Sequence, residues 1–138
     1  MFAFVLCFAL TAVCVLSHYE TLRLLNDRLA RTDFVSTRAK VVVALVGAMA
    51  SHVLQIGTFA LAYYLLRDKF GLGGFGGTFQ DTPMSFLYFS SETYTTLGFG
   101  DIYPTGQLRL IYGIESLIGL LMVSWTASFT YLEMRRYW

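Results

Sequence analysis

The chain has 138 residues, of which 56% are apolar and 14% charged, with a mean hydropathy of +0.57, so it is too greasy for an ordinary soluble domain and belongs in a membrane. A net charge of +1 gives nucleic acid no hold, so the partners expected are membrane lipid and further copies of the chain. Cys7 and Cys14 stand two helical turns apart, about 10 Å along an axis, which excludes a bridge within one helix.

Residues 1–17 are apolar throughout, close to the roughly 17-residue minimum for a spanning helix. No basic residue precedes them, as a cleaved leader would require, so they read as an uncleaved anchor with the N-terminus outside. From 18 to 38 the chain turns polar. Leu22, Leu25 and Leu29 recur at helical spacing with Arg23, Arg28 and Arg31 on other faces, the pattern of an amphipathic helix at the inner surface. Residues 1–39 thus form one unit and 40–138 a second.

In the second unit, 41–66 reads as an outer helix in which Ala44, Gly47, Ala48 and Ser51 permit close packing. Segment 67–82, with glycine at 71, 73, 74, 76 and 77, reads as a flexible external loop. Thr82-Pro83 signals a helix start, a capping hydroxyl followed by proline at the first helical position. The helix can run only over 83–94, about 18 Å, too short for a hydrocarbon core of about 30 Å. It is therefore re-entrant, and irregular backbone at that depth is tolerated only where it is buried in protein or lines a watery cavity. The segment Thr95-Thr96-Leu97-Gly98-Phe99-Gly100-Asp101 follows. Glycines at alternate positions can take left-handed conformations and aim successive carbonyls to one side, which makes one edge of a cation-binding column. Closing that column takes several chains around an axis. After the turn at Pro104-Thr105-Gly106, residues 107–131 form an inner helix closed by Trp125, Tyr131, Arg135, Arg136, Tyr137 and Trp138.

Charge sets the orientation. Arg23, Arg28, Arg31, Arg38, Lys40, Arg135 and Arg136 fall in two stretches that the positive-inside rule makes cytoplasmic, leaving Arg67, Lys69 and Arg109 at the other surface. The expected topology is a multi-pass protein of the cell's inner membrane, N-terminus outside and C-terminus cytoplasmic.

Residues 90–104, SSETYTTLGFGDIYP, resemble the pore signature of the potassium-channel superfamily, particularly its small prokaryotic two-helix members. The likeness extends over roughly 83–132, and residues 1–39 are an addition to that plan. It implies an all-α membrane protein with three transmembrane helices, a re-entrant pore helix and a selectivity-filter loop, assembled as a fourfold homotetramer. It further implies potassium ions held by the carbonyls of Thr96, Leu97, Gly98 and Phe99 and the Thr96 hydroxyl, with Gly100 completing the ion-binding filter. No cofactor is implied beyond the permeant ion. Thr95, Glu92, Asp101, Tyr88 and Phe89 match positions that support the filter, Glu92 and Asp101 as a carboxyl pair. Arg109 and Gly119 match an outer-mouth arginine and a hinge glycine. Phe99 lacks the phenol that family members use to tie the filter to an aromatic cuff, and Tyr88 and Phe89 stand where that cuff often has tryptophans. A weakly selective sodium and potassium channel is the alternative.

Within the spans, His52, Gln55 and Glu115 come out at similar depth and read as a polar cluster bracing outer against inner helix. Histidine's pKa also suits pH gating. Gly98-Phe99-Gly100-Asp101 fits the Gly-x-Gly-Asp pattern of intramembrane aspartyl proteases, but that chemistry needs a second carboxyl and no other aspartate lies in an apolar span. No enzyme is expected; a membrane accessory subunit without a pore is the remaining class.

Overall fold

The computed structural model describes residues 2–32 and 36–137. Its elements in order are α1 (Phe2–Ala30), α2 (Thr37–Asp68), β1 (Phe75–Gly77), α3 (Pro83–Tyr94), β2 (Ile102–Pro104) and α4 (Leu108–Tyr137). Three of the four helices, α1, α2 and α4, are long and apolar enough to cross a membrane. Each is about 44 to 48 Å long at about 1.5 Å per residue, against a core of about 30 Å, so all three extend well beyond it. The fold is an all-α membrane protein, with α3 as a short inserted helix.

The apolar residues 1–17 and the polar stretch after them, read in the sequence as a span and an amphipathic helix that can continue from it, form one helix, because α1 runs unbroken to Ala30. No glycine or proline interrupts it, and the buried stripe of Cys7, Cys14, His18, Leu22 and Leu29 continues at helical spacing through the change in polarity. Residues 33–35 of the expected amphipathic segment, and the terminal Trp138, lie outside the described residues.

Helix α1 lies against α2 and α4. Small residues bring α2 close: Ala44, Ala48 and Ser51 are buried, and a Cβ on Gly47 would run into the Leu25 side chain. Ser36 caps α2, accepting from the Ala39 N–H. The basic ends of the helices come together, with Arg136 Nη1 donating to Asn26 Oδ1 at 2.9 Å and Lys40 Nζ 5.1 Å from the Tyr137 ring.

At the opposite end, the glycine-rich 67–82 segment is built, not loose. β1 pairs antiparallel with β2 in the register Phe75 to Pro104, Gly76 to Tyr103 and Gly77 to Ile102. Thr78 N–H donates to the Asp101 carbonyl at 2.8 Å, and Arg67 pairs with Asp68 and Asp81 while lying over Phe79 and Phe86. Glycine is required for this contact: Gly77 has φ +80°, and a Cβ there would strike the Asp101 carbonyl. Composition alone reads as flexibility, whereas the glycines let two backbones meet. Gly77→Ala is therefore expected to destabilise the fold by about 1–3 kcal/mol, from left-handed strain plus overlap. Denaturant unfolding in detergent should show it, together with faster protease nicking of 67–82.

Candidate functional site

Helix α3 is aimed by its caps. Thr82 accepts from Ser85 N–H with Pro83 following, and at the other end Thr95 N–H and Thr95 Oγ1 both donate to the Ser91 carbonyl. The chain then leaves the helix in a regular alternation. Thr96 (φ 61°), Gly98 (φ 53°) and Gly100 (φ 78°) are left-handed, and Leu97 and Phe99 between them are not. Such alternation turns successive carbonyls to the same side of the strand, the geometry expected of a cation-binding edge. The sequence anticipates Gly98 and Gly100 in this conformation; Thr96 joins them at a cost of about 1–2 kcal/mol for a non-glycine residue.

Two bonds brace this segment from behind. Glu92 Oε2 accepts from Phe99 N–H at 3.3 Å, and Gly98 N–H donates to the Glu92 carbonyl at 3.2 Å. Asp101 is held separately: Tyr88 OH reaches its two carboxylate oxygens at 3.3 and 3.2 Å. Glu92 and Asp101 thus each have a further partner, and the Asp101 charge and a side-chain hydrogen bond between the two carboxyls both act on Glu92. Tyr88 and Phe89, by contrast, are divided. Consecutive helical residues point about 100° apart, so only Tyr88 faces the segment. Phe89 is fully buried in an aromatic cluster with Tyr63, Phe75 and Tyr112, and reaches Gly98 only through Tyr112, whose hydroxyl lies 3.5 Å from the Gly98 Cβ direction.

Burial raises the Glu92 pKa above the ordinary carboxyl value, the Phe99 N–H pulls it back, and the Asp101 charge raises it further. A raised folded-state pKa means that Glu92 favours the fold when protonated, and that contribution fades as pH rises through the folded value. Glu92→Gln keeps an acceptor for Phe99 N–H without the charge. It should flatten the fall in melting temperature that begins as pH rises above the ordinary carboxyl range of about 4, whereas an unchanged profile would contradict this role.

The expected His52, Gln55 and Glu115 cluster is split in two. Glu115, fully buried, accepts from Tyr63 OH at 2.6 Å and from Ser90, tying α4 to α2 and α3. His52 instead bonds Tyr94 OH at 2.9 Å and Thr126 Oγ1 at 2.9 Å. Thr126 lies eleven residues beyond Glu115, about 16 Å along α4. Equal depth for His52 and Glu115 follows only if each span starts at the membrane edge, and these helices extend past it. Gln55 does join His52, through Tyr94 OH, which donates to Gln55 Oε1 at 2.7 Å. Three further residues complete the group: His18, Ser51 and Thr126. His18 reads in the sequence as the start of an interfacial stretch; its place on the Cys7, Cys14, Leu22 stripe is the signal that marks it as buried.

Gly119 lies where α4 crosses the end of α3, and a Cβ there would collide with the Tyr94 carbonyl. Arg109, on the first turn of α4, borders with Glu92 and Tyr112 a cleft of about 560 Å³ behind the 95–101 segment. Leu97 (64% exposed) and Phe99 (68%) are left uncovered by the single chain.

A capped half-helix, an alternating-handed strand and two flanking spans that hold them make this a pore-loop membrane protein of the ion-channel class. A family profile described as "Ion channel" matches residues 51–134, more than half of the chain. The chain belongs to that family, the two-transmembrane, potassium-channel-like ion channels, which are not enzymes. Comparison with curated proteins and with solved structures gives no match. The match begins at Ser51, so α1 lies outside it.

Proposed function

We propose that four copies of this chain surround a potassium-selective pore. Its sites are the carbonyls of Thr96, Leu97, Gly98 and Phe99 and the Thr96 hydroxyl, with Gly100 and Asp101 at the outer mouth. The observation that carries this reading is the left-handed conformation at 96, 98 and 100, which lets one short strand offer a continuous row of carbonyls. A single row cannot replace an ion's hydration shell, and four rows can. The exposed Leu97 and Phe99 side chains support the same assembly, since a neighbouring copy would bury them at the level of the filter. The negative end of each α3, equivalent to roughly half a charge, adds to the attraction for a cation below the filter. Gathering of the basic helix ends at the base of the bundle supports a cell-membrane topology with the N-terminus outside and the C-terminus cytoplasmic.

A second reading, weak selection between potassium and sodium, is favoured by one feature. Residue 99 has no hydroxyl, so its own side chain makes no hydrogen bond; it is held through its backbone N–H to Glu92, while the Tyr88 phenol reaches Asp101 at the exit of the filter. Reversal potentials under opposed potassium and sodium gradients separate the two. A shift toward the potassium equilibrium potential supports potassium selectivity; a reversal near zero supports the second reading.

A further inference from the structure

Five side chains from four helices close a ring of hydrogen bonds beneath the filter. Gln55 Nε2 donates to His18 Nδ1 (3.2 Å), and His18 Nε2 lies 3.1 Å from Thr126 Oγ1. Thr126 Oγ1 is 2.9 Å from His52 Nε2, His52 Nδ1 is 2.9 Å from Tyr94 OH, and Tyr94 OH donates back to Gln55 Oε1. Followed around, every member donates once and accepts once within the ring, with Ser51 Oγ set against both His18 and Gln55. A histidine that donates at one nitrogen and accepts at the other is neutral. The ring therefore fixes both protonation state and tautomer: His18 carries its hydrogen on Nε2 and His52 on Nδ1.

One added proton breaks this arrangement. On His18 Nδ1 it would face the Gln55 N–H, donor against donor, and break that ring bond, leaving Ser51 Oγ at 3.1 Å as the acceptor for the new N–H. On His52 Nε2 it would displace the hydrogen that Thr126 Oγ1 directs there, so the threonine hydroxyl must turn out of the ring toward its own helix. The two ring centroids are 5.0 Å apart, so a second proton meets the charge of the first. The titratable groups facing the pair are Cys14, one turn before His18 on α1, and Tyr94 on α3; α2 contributes the neutral Ser51 and Gln55, and α4 Trp125 and Thr126. Glu115 acts electrostatically on Cys14 and Tyr94 but is bonded to Tyr63 and Ser90. Among the described residues no carboxylate bonds either imidazole, so nothing there compensates a cation.

Tyr94 is the last residue of α3. Its hydroxyl sits in the ring, its carbonyl rests on Gly119, and Thr95 and Thr96 follow it directly. Further down α4, Thr130 Oγ1, Glu133 Oε2 and Tyr137 OH are buried without a hydrogen-bond partner among the described residues. They follow Thr126 at spacings of four, three and four residues along one face, steps of about 5 to 6 Å that a bridging water can span.

We propose that this ring is a proton-sensitive lock on the base of the filter, closed only when α1 supplies His18, and that acid entering from the Glu133 end opens it and lowers conduction. The lock rests on the channel reading for its effect on conduction, and on hydrogen-bond geometry alone for its protonation states. The test is single-channel recording in planar bilayers, with pH stepped from about 8 to about 5 on one side at a time. Wild-type current should fall about tenfold with acid at the Glu133 end, and less than about twofold with acid at the Asp101 end. The H18Q/H52Q double variant should lose the response. An insensitive wild type, an equal effect from both sides, or a response that survives in the double variant would overturn the proposal. Imidazole ¹⁵N spectra of the wild-type protein at about pH 8 should show two neutral rings of opposite tautomer. A cationic ring or matching tautomers would refute the lock even if the variant fails to fold. Absence of current at every pH beside the expected spectra would instead fault the channel reading.

Discussion

Gly100→Ala is expected to abolish ion flux while leaving the protein folded and assembled. Within the chain, a Cβ at Gly100 meets nothing within 4 Å, so the substitution brings no collision. What it changes is the cost of φ +78°, about 1–2 kcal/mol for an L-residue, and in the proposed fourfold ring the cost is incurred four times over. The strand can escape by rotating that peptide, which takes a carbonyl out of the row and breaks the ion path. A loss of flux of at least about a hundredfold is expected, since a displaced carbonyl removes a site in every subunit. Size-exclusion profile and melting should stay near wild type. Flux within about twofold of wild type would show that the conformation at residue 100 is not part of the conduction path.

Gly119→Ala is expected to fail differently, by dislodging the pore helix. In a helix interior, alanine is ordinarily better than glycine by about 0.8–1 kcal/mol. Here the added methyl would enter the Tyr94 carbonyl, which is backbone and cannot turn aside as a side chain can. Overpacking of this kind costs about 1–3 kcal/mol in each chain. Because the colliding group is the end of α3, the loss should appear both as a lower melting temperature and as a lower yield of assembled channel. Gly57→Ala serves as the control: a Cβ there meets nothing within 4 Å and should be neutral or slightly stabilising. A Gly119→Ala protein with wild-type melting and flux would mean that α4 and α3 are not in this contact. The same crowding bears on the hinge reading of Gly119, because any bend at that position must carry the Tyr94 carbonyl with it.

The contrast between these two glycines shows what the sequence makes legible. Alternation at 98 and 100 is a local conformational demand, and so is the Thr82-Pro83 helix start; both can be read from neighbouring residues. The three long helices follow from apolar length in the same way. Contacts between distant segments are different. Gly77 and Gly119 serve close backbone approach to Asp101 and Tyr94, and nothing near them in the sequence says so. A glycine-rich stretch therefore reads as a loose loop when it is one half of a strand pair.

Polar residues within the spans show the same limit. That His52, Gln55 and Glu115 need partners is legible, because a polar group in a span must be satisfied. Which partners they find depends on helix tilt and overhang. About 16 Å along α4 separates the residue that meets His52 from the one that meets Tyr63 and Ser90. Ser90 and Thr126 are unremarkable types in such positions, since each can satisfy its hydroxyl on its own helix; Tyr63 and Tyr94 read only as aromatic residues until their partners on other helices are known. His18 is the instructive miss. The boundary at residue 18 is a real change in polarity, yet the helix continues across it and carries the histidine into the bundle.

The central claim is that residues 95–101, repeated around an axis, conduct cations. Purified protein reconstituted in potassium-loaded liposomes tests it most directly. Efflux of potassium should develop a membrane potential and drive dye or proton uptake, and Gly100→Ala vesicles prepared alongside should remain silent. Liposomes that hold correctly assembled wild-type protein and release no cation, or that leak equally with Gly100→Ala, would contradict it.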